Sequence, residues 1–299
     1  MSGPQTMTTL AELNQCDEDA FVASLGSVFE HSPWVARAVA GQRPFASAQA
    51  LHDAMLGVIR AQPAQQLAEF LSVHPELAGS QARAGTMTAD SISEQGALAL
   101  DNLGNAENGR WDALNTAYRR KFGFPFILCV RRHTRASALR RFEARLHNEP
   151  AAEMRAAVDE IALVSRLRLA ARIADHGMPQ LHGQLTIQVL DGTRDRPAAE
   201  MHVELAEVGP DGRRSLLRST TTGHDGGTRE PLLGGQPLRI GQYELCFHVG
   251  DYFRGRGEAG APVLDVVPVA FTLQEAERHY HVPLEVSPSA YRAKVVAAD

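Results

Sequence analysis

The hydrophobic period changes once along this chain, and that change sets the fold classes open to it. Up to about Arg172 the apolar residues recur every three to four positions; from Leu185 onward they recur every second one. Helical runs are expected at Leu10–Leu13, Phe21–Phe29, Ala48–Ala61, Ala64–Val73, Ser93–Leu103, Arg110–Phe122, Arg135–Leu146 and Ala151–Arg172. Turn-prone residues separate them at Ser32-Pro33, Gly41–Pro44, Pro75, Gly85 and Gly104-Asn105. After Gly177-Met-Pro179, Leu185, Ile187 and Val189 alternate with Thr186 and Gln188, as in a half-buried strand. Further strands are expected at Met201–Val208, Ser215–Thr221, Gln242–Val249, Val263–Leu273 and Tyr280–Val286, with a short helical turn at Leu273–Arg278. The expected fold is therefore two domains, an all-α helical bundle over residues 1–175 and an all-β sandwich over 184–299, joined by a linker at 176–183.

Composition narrows the function classes. A net charge of −5 with both signs interspersed argues against a general nucleic-acid binder. No apolar run is long enough to span a bilayer, and the polar N-terminus lacks the basic start and apolar core of a signal peptide. Cys16, Cys129 and Cys246 are too few and too scattered for a disulfide framework or a zinc cluster, which fits a reducing cytoplasm. His224, His248 and His279 fall on different strands and turns and read as surface or interface residues.

The chemistry concentrates between Leu67 and Gln95. Leu67, Phe70, Leu71 and His74 share one helical face, and Pro75 follows at once. Such a histidine is more often a core or capping residue than a catalyst, and Ser91-x-x-Glu94 matches a capping box. Other features point to a ligand. A helix start at Ser91 presents free amides to an anion. Lys121–Arg131 is a rigid aromatic segment broken by Pro and Gly, and Arg168 shares a helical stripe with Ile161 and Val164. The bland reading of Arg168 is snorkelling, its stem buried and its head in water.

Six fragments carry a resemblance: Phe29-Glu-His-Ser-Pro-Trp-Val-Ala36, His74-Pro-Glu-Leu-Ala-Gly79, Ser91-Ile-Ser-Glu-Gln95, Leu114-Asn115 with Tyr118, Lys121-Phe-Gly-Phe-Pro-Phe-Ile127 and Leu167-Arg168-Leu169. In this order they resemble 2-oxo-4-hydroxy-4-carboxy-5-ureidoimidazoline (OHCU) decarboxylase, the last step of urate breakdown to (S)-allantoin, over about residues 10–172. The resemblance implies an all-helical homodimer working without metal or cofactor. It further implies His74 and Glu94 as the catalytic pair, and Pro75, Ser91, Ile92, Ser93, Gln95, Phe126, Ile127, Val130 and Arg168 as substrate contacts. Glu94 is expected to orient His74.

The second half resembles the transthyretin-like 5-hydroxyisourate hydrolases. The matching fragments are Leu185–Asp191, Arg196-Pro-Ala198, Thr222–Gly226, Pro231–Leu233, Asp251-Tyr-Phe253, His279–Leu284 and Ser287-Pro288. This order of domains is that of bifunctional allantoin synthases. The hydrolase pattern is nonetheless broken: Gln188 stands where the family has histidine, Gly227 where it has arginine, and the usual Tyr-Arg-Gly-Ser end is absent. Only His281 survives, with Arg229 the nearest replacement cation. Glutamine does not take a proton at neutral pH and glycine brings no charge, so a degenerate site is expected, with the domain serving assembly, for which the resemblance implies a tetramer. The alternatives are a fully bifunctional enzyme and a non-catalytic scaffold.

Overall fold

A computed structural model describes residues 7–96, 98, 100, 103–174, 178, 180–256 and 262–298. The chain divides into two compact units, Met1–Arg131 with Ala138–Pro179 and Arg132–Ser137 with Gln180–Asp299. The expected linker lies partly outside the described residues, at 176, 177 and 179, as do residue 175 before it and residues 97, 99, 101 and 102 of the helix expected to end at Leu103.

The first unit is built of helices: α1 Leu10–Gln15, α2 Glu18–Leu25, α3 Pro33–Val39, α4 Ala48–Arg60, α5 Ala64–Ser72, α6 Ser80–Ala84, α7 Ala89–Gly96, α8 Asn105–Phe122, α9 Arg135–Arg145, whose first three residues are assigned to the second unit, and α10 Pro150–Ala170. Local chemistry sets their ends. Thr9 and Glu12 close a capping box on α1, Asp17 caps α2 and Ser47 caps α4. Pro33 and Pro150 occupy the first turns of α3 and α10, where a missing N–H costs nothing. Gly123, with φ of 82°, ends α8 in the left-handed region that glycine enters without strain.

Two expectations need correction here. Ser32-Pro33 does fall between helices, but Pro33 opens one, α3, that was not among those expected. The helix expected over Phe21–Phe29 stops at Leu25, so Gly26 to Ser32 form the turn that carries Glu30.

Phe21, Leu51, Met55, Ile59 and Phe29 fill one part of the core, and the rings of Trp111, Tyr118, Phe126 and Phe142 fill another. A buried polar network fastens the 124–130 segment beside those rings. Arg145 Nη1 donates to Ile127 O (2.8 Å) and its Nε to Glu153 (2.8 Å), while Tyr118 donates its hydroxyl proton to the same carboxylate. Cys129 N–H donates to Glu160 (2.9 Å). Among the described residues the segment forms no strand, and its Ile127 carbonyl and Cys129 amide are met by side chains.

The second unit is a two-sheet sandwich of β1 Leu185–Asp191, β2 Arg196–Pro197, β3 His202–Val208, β4 Arg214–Thr221, β5 Gly241–Phe247, β6 Val267–Leu273, β7 His279–Val286, β8 Tyr291–Ala293 and β9 Val296–Ala298. One sheet runs β2-β1-β7-β8 with β9 also on β7, and the other β4-β3-β5-β6. β1 and β7 pair in parallel, and the remaining ladders are antiparallel. Alternate residues Ile187, Val189, Val203, Leu205, Leu245, Phe247, Val282 and Leu284 fill the space between the sheets. The short helix is α11 at Val249–Arg254, not the turn expected at Leu273–Arg278, so the strand expected to reach Val249 ends at Phe247. No described helix is long and apolar enough to cross a membrane.

Candidate active site

His74 lies two residues past the end of α5, not on its last turn, because Pro75 cannot continue the helix. Its backbone N–H and its Nδ1 both reach Leu71 O, each at 3.3 Å. A carbonyl only accepts, so Nδ1 carries the ring proton and Nε2 keeps its lone pair. The Phe70 ring meets the imidazole edge-on at 5.5 Å. Burial pushes the pKa of His74 down to about 4; the Arg168 charge adds to this and Glu30 opposes it. His74 is therefore a neutral imidazole at pH 7.

The loop bearing it is pinned from two helices. Gln95 of α7 accepts from Ala78 N–H (3.1 Å) and donates to Glu76 O (3.2 Å), and Asn115 of α8 donates to Leu77 O (2.9 Å). Gln95 lines the site, but both ends of its amide are committed to this loop.

The expected capping box does not form. Thr88 Oγ1 accepts the Ser91 N–H (3.3 Å), α7 starts at Ala89, and Ser91 is its third residue. Ser91, Glu94 and Gln95 then share one face at i, i+3 and i+4, whereas Ile92 and Ser93 face outward, Ile92 being 45% exposed.

Arg168, near the end of α10, is the hub. It is 6% exposed and does not snorkel. Its Nε and Nη2 form a bidentate pair with Glu94 (2.8 and 2.7 Å), Nη1 donates to Glu30 (2.8 Å), and Nη2 also reaches Ser91 Oγ (3.3 Å). Glu30 Oε1 accepts from the hydroxyls of Thr88 (2.6 Å) and Ser91 (3.0 Å). Burial works against the Arg168 charge, but the hydrogen bonds and charges of the two carboxylates outweigh it and raise its pKa. Burial likewise disfavours the Glu30 carboxylate, yet the Thr88 hydroxyl and Arg168 outweigh it and lower its pKa.

Among the described residues no hydrogen bond joins His74 to Glu94; the Leu71 carbonyl, not the expected carboxylate, orients the ring. Both side chains nevertheless border one cavity of about 40 Å³, together with Pro75, Leu77, Ser91, Gln95, Phe126, Ile127, Leu128, Val130, Val164 and Arg168. A neutral base and a buried guanidinium thus face one hollow with apolar walls, a setting in which electrostatic contacts are strong because water is excluded. Glu30 and Thr88 are the residues sequence reasoning passed over. A lone carboxylate in the apolar run Val28-Phe-Glu30 was the available signal for the first.

The four residues considered in the second unit are not gathered in the same way. Gln188 is exposed on β1 and donates to Asp225 O (3.2 Å). His281 Nδ1 pairs with Thr186 Oγ1 (2.9 Å), Gly227 sits in the Asp225 turn, and Arg229 is exposed. A cavity of about 430 Å³ on the β1–β7 face takes in Gln188 but not His281, Gly227 or Arg229.

Comparison with known proteins agrees with this division. Residues 14–170 match the OHCU decarboxylase family and residues 185–293 the HIUase/transthyretin family. A 2-oxo-4-hydroxy-4-carboxy-5-ureidoimidazoline decarboxylase of Bos taurus is 40% identical over 161 residues, 54% of this chain and 95% of that protein. The protein of the same description from Haloferax volcanii is 34% identical over 166 residues, 56% of this chain and 96% of its own. A crystal structure of (S)-allantoin synthase superimposes with a TM-score of 0.52 at 30% identity, covering 97% of this chain and 100% of that one. With more than half of its length matched by one family and a full-length relative of the same two-part construction, the chain belongs to the OHCU decarboxylase family.

Proposed function

We propose that the chain decarboxylates OHCU to (S)-allantoin, with His74 and Glu94 as its catalytic pair and Arg168 as the grip on the substrate anion. The substrate carries its carboxylate on C4, beside the ring C5=N bond, so departure of CO2 leaves charge that spreads through C5 onto that ring nitrogen. The reaction needs a cation near the carboxylate, donors near the ring nitrogen that takes up the charge and a proton delivered to one face of C5. Arg168 supplies the first, taking the substrate carboxylate in place of Glu94. Backbone N–H groups of the Phe126–Val130 segment other than that of Cys129 are the candidate donors. His74 takes the proton of the substrate's 4-hydroxyl at Nε2 as negative charge grows beside it, since a nearby anion favours the imidazolium, and delivers it to the ureido-bearing C5, leaving C4, which lost CO2, as the product's carbonyl. Pro75, Phe126, Ile127 and Val130 wall the ring.

The observation that carries this reading is the buried Arg168 cluster sharing a hollow with a neutral histidine. The test is to generate OHCU in situ from urate and follow chiral allantoin by circular dichroism. Folded His74→Ala and Arg168→Ala proteins should lose the accelerated chiral signal; an undiminished rate in either removes the assignment. In the same assay the chain should leave 5-hydroxyisourate decay unchanged, because Gln188 and Gly227 lack the base and the cation that hydrolysis requires. Faster decay would establish a bifunctional enzyme. The second unit then serves assembly, and we read the protein as a cytoplasmic homo-oligomer, a dimer through the helical unit or a tetramer through the sandwich, to be measured by light scattering.

A further inference from the structure

We infer that the outer face of the β4-β3-β5-β6 sheet carries a divalent transition-metal site formed by His202, Glu204 and His248, apart from the decarboxylase chemistry. His202 and Glu204 alternate along β3 and so project from the same face. β5 pairs with β3 so that Val203 faces Phe247 and Glu204 faces Cys246, and the backbone N–H of His248 donates to His202 O (3.0 Å). Strand register thus brings His248, at the junction of β5 and α11, beside the other two.

Their potential ligand atoms all lie within 4.8 Å of one another. His202 Nε2 is 3.5 Å from Glu204 Oε1, and His248 Nε2 is 3.8 Å from Glu204 Oε2. Two donors on a tetrahedral Zn2+ at its usual bond lengths stand roughly 3.3 Å apart, so closing the set takes only side-chain adjustment.

Two further observations point to a cation. His248 Nε2 is sealed from solvent and has no hydrogen-bond partner among the described residues, although a buried ring nitrogen normally finds one. Its other nitrogen, Nδ1, faces Asp251 Oδ2 at 3.9 Å. At that separation no hydrogen bond forms, but a small side-chain shift would let Nδ1–H donate to the carboxylate when Nε2 ligates, the usual outer arrangement of a metal-bound histidine. Asp251 is in turn held by Arg254 Nη2 (2.7 Å).

Two imidazoles select zinc-like ions over Mg2+ or Ca2+. With three protein ligands and side chains 24–38% exposed, a fourth position remains for water. The bound ion would clamp β3 to the β5–α11 corner.

The test is calorimetric titration of the chelator-treated full chain with ZnCl2, with Co2+ as the spectroscopic probe. One Zn2+ per chain is expected, with the visible absorption of four-coordinate Co2+. The double variant His202→Gln/His248→Gln should lose at least ~100-fold in affinity, Glu204→Gln should abolish the Co2+ band, and Asp251→Asn should weaken binding by about tenfold. Decarboxylation by the variants should match that of the parent. Absence of binding at millimolar Zn2+, or equal binding by the double variant, overturns the proposal. Should the double variant misfold, Glu204→Gln alone decides it by the same two readings.

Discussion

Replacing Glu30 should disable both the stability and the chemistry of the helical unit, although Glu30 does not border the cavity. In Glu30→Ala, Arg168 Nη1 and the hydroxyls of Thr88 and Ser91 lose their acceptor inside the protein. Removing one partner of a buried ion pair costs about 3–5 kcal/mol, and because Glu94 still holds Arg168 through two hydrogen bonds the lower end, about 3 kcal/mol, applies. Glu30→Gln keeps an oxygen for the hydroxyls and loses the charge, for about 1.5–3 kcal/mol. The readout is favourable, since Trp34 and Trp111, the two tryptophans of the chain, both belong to the helical unit. Tryptophan fluorescence in urea therefore follows that unit alone. At a slope of about 2 kcal/mol per molar urea, the midpoint should fall by about 1.5 M in Glu30→Ala and by less in Glu30→Gln. Chiral allantoin formation at low urea should fall in both, because Arg168 loses one of the carboxylates that fix it. An unchanged midpoint with an unchanged rate in Glu30→Ala would refute the view that this carboxylate positions the guanidinium.

Further outcomes can be checked separately. The acid limb of kcat/KM should lie near pH 4 and not near 6.5, since burial holds His74 neutral down to that range; a limb at 6.5 would mean an exposed imidazole. Helical-unit stability should decline between pH 6.5 and 4. His52 and His74 both have pKa values lowered to about 4, so the unfolded chain binds protons first through that window, and His52→Gln should flatten part of the slope. Glu30, with its lowered pKa, adds a loss that begins only below about 4.5. Gly226→Ala should destabilise the sandwich by about 2 kcal/mol or more, because φ is 78° and a Cβ would meet Val189 O at 2.3 Å, whereas Gly227→Arg should melt like the parent, its Cβ meeting nothing closer than 3.5 Å. Asn115→Ala should cost about 1–3 kcal/mol and slow turnover, since Leu77 O loses its buried donor and the His74 loop one of its ties.

The change of hydrophobic period made the helical and sandwich halves legible, because burial of one face writes itself into residue spacing. Element ends were less legible. Ser91-x-x-Glu94 has the spacing of a capping box, yet Thr88 three residues earlier takes the Ser91 amide and frees Glu94 for Arg168. The partnership of Glu30 with Arg168 spans 138 positions, and no local pattern encodes a contact of that range. Arg168 itself was visible as a charge on an apolar stripe; which carboxylates answer it was not. His248 shows the same limit in the sandwich, where its neighbours are set by strand register and not by spacing along the chain.

Glu94 spans Arg168 with both oxygens, and this has a consequence for turnover. A decarboxylated product carries no carboxylate with which to hold the guanidinium. In the proposed cycle, once CO2 has gone, the enzyme's own side chain is the better ligand and would reclose on the arginine. Product departure would then be driven by the protein's internal competitor, and the cycle would end with the electrostatic arrangement it began with.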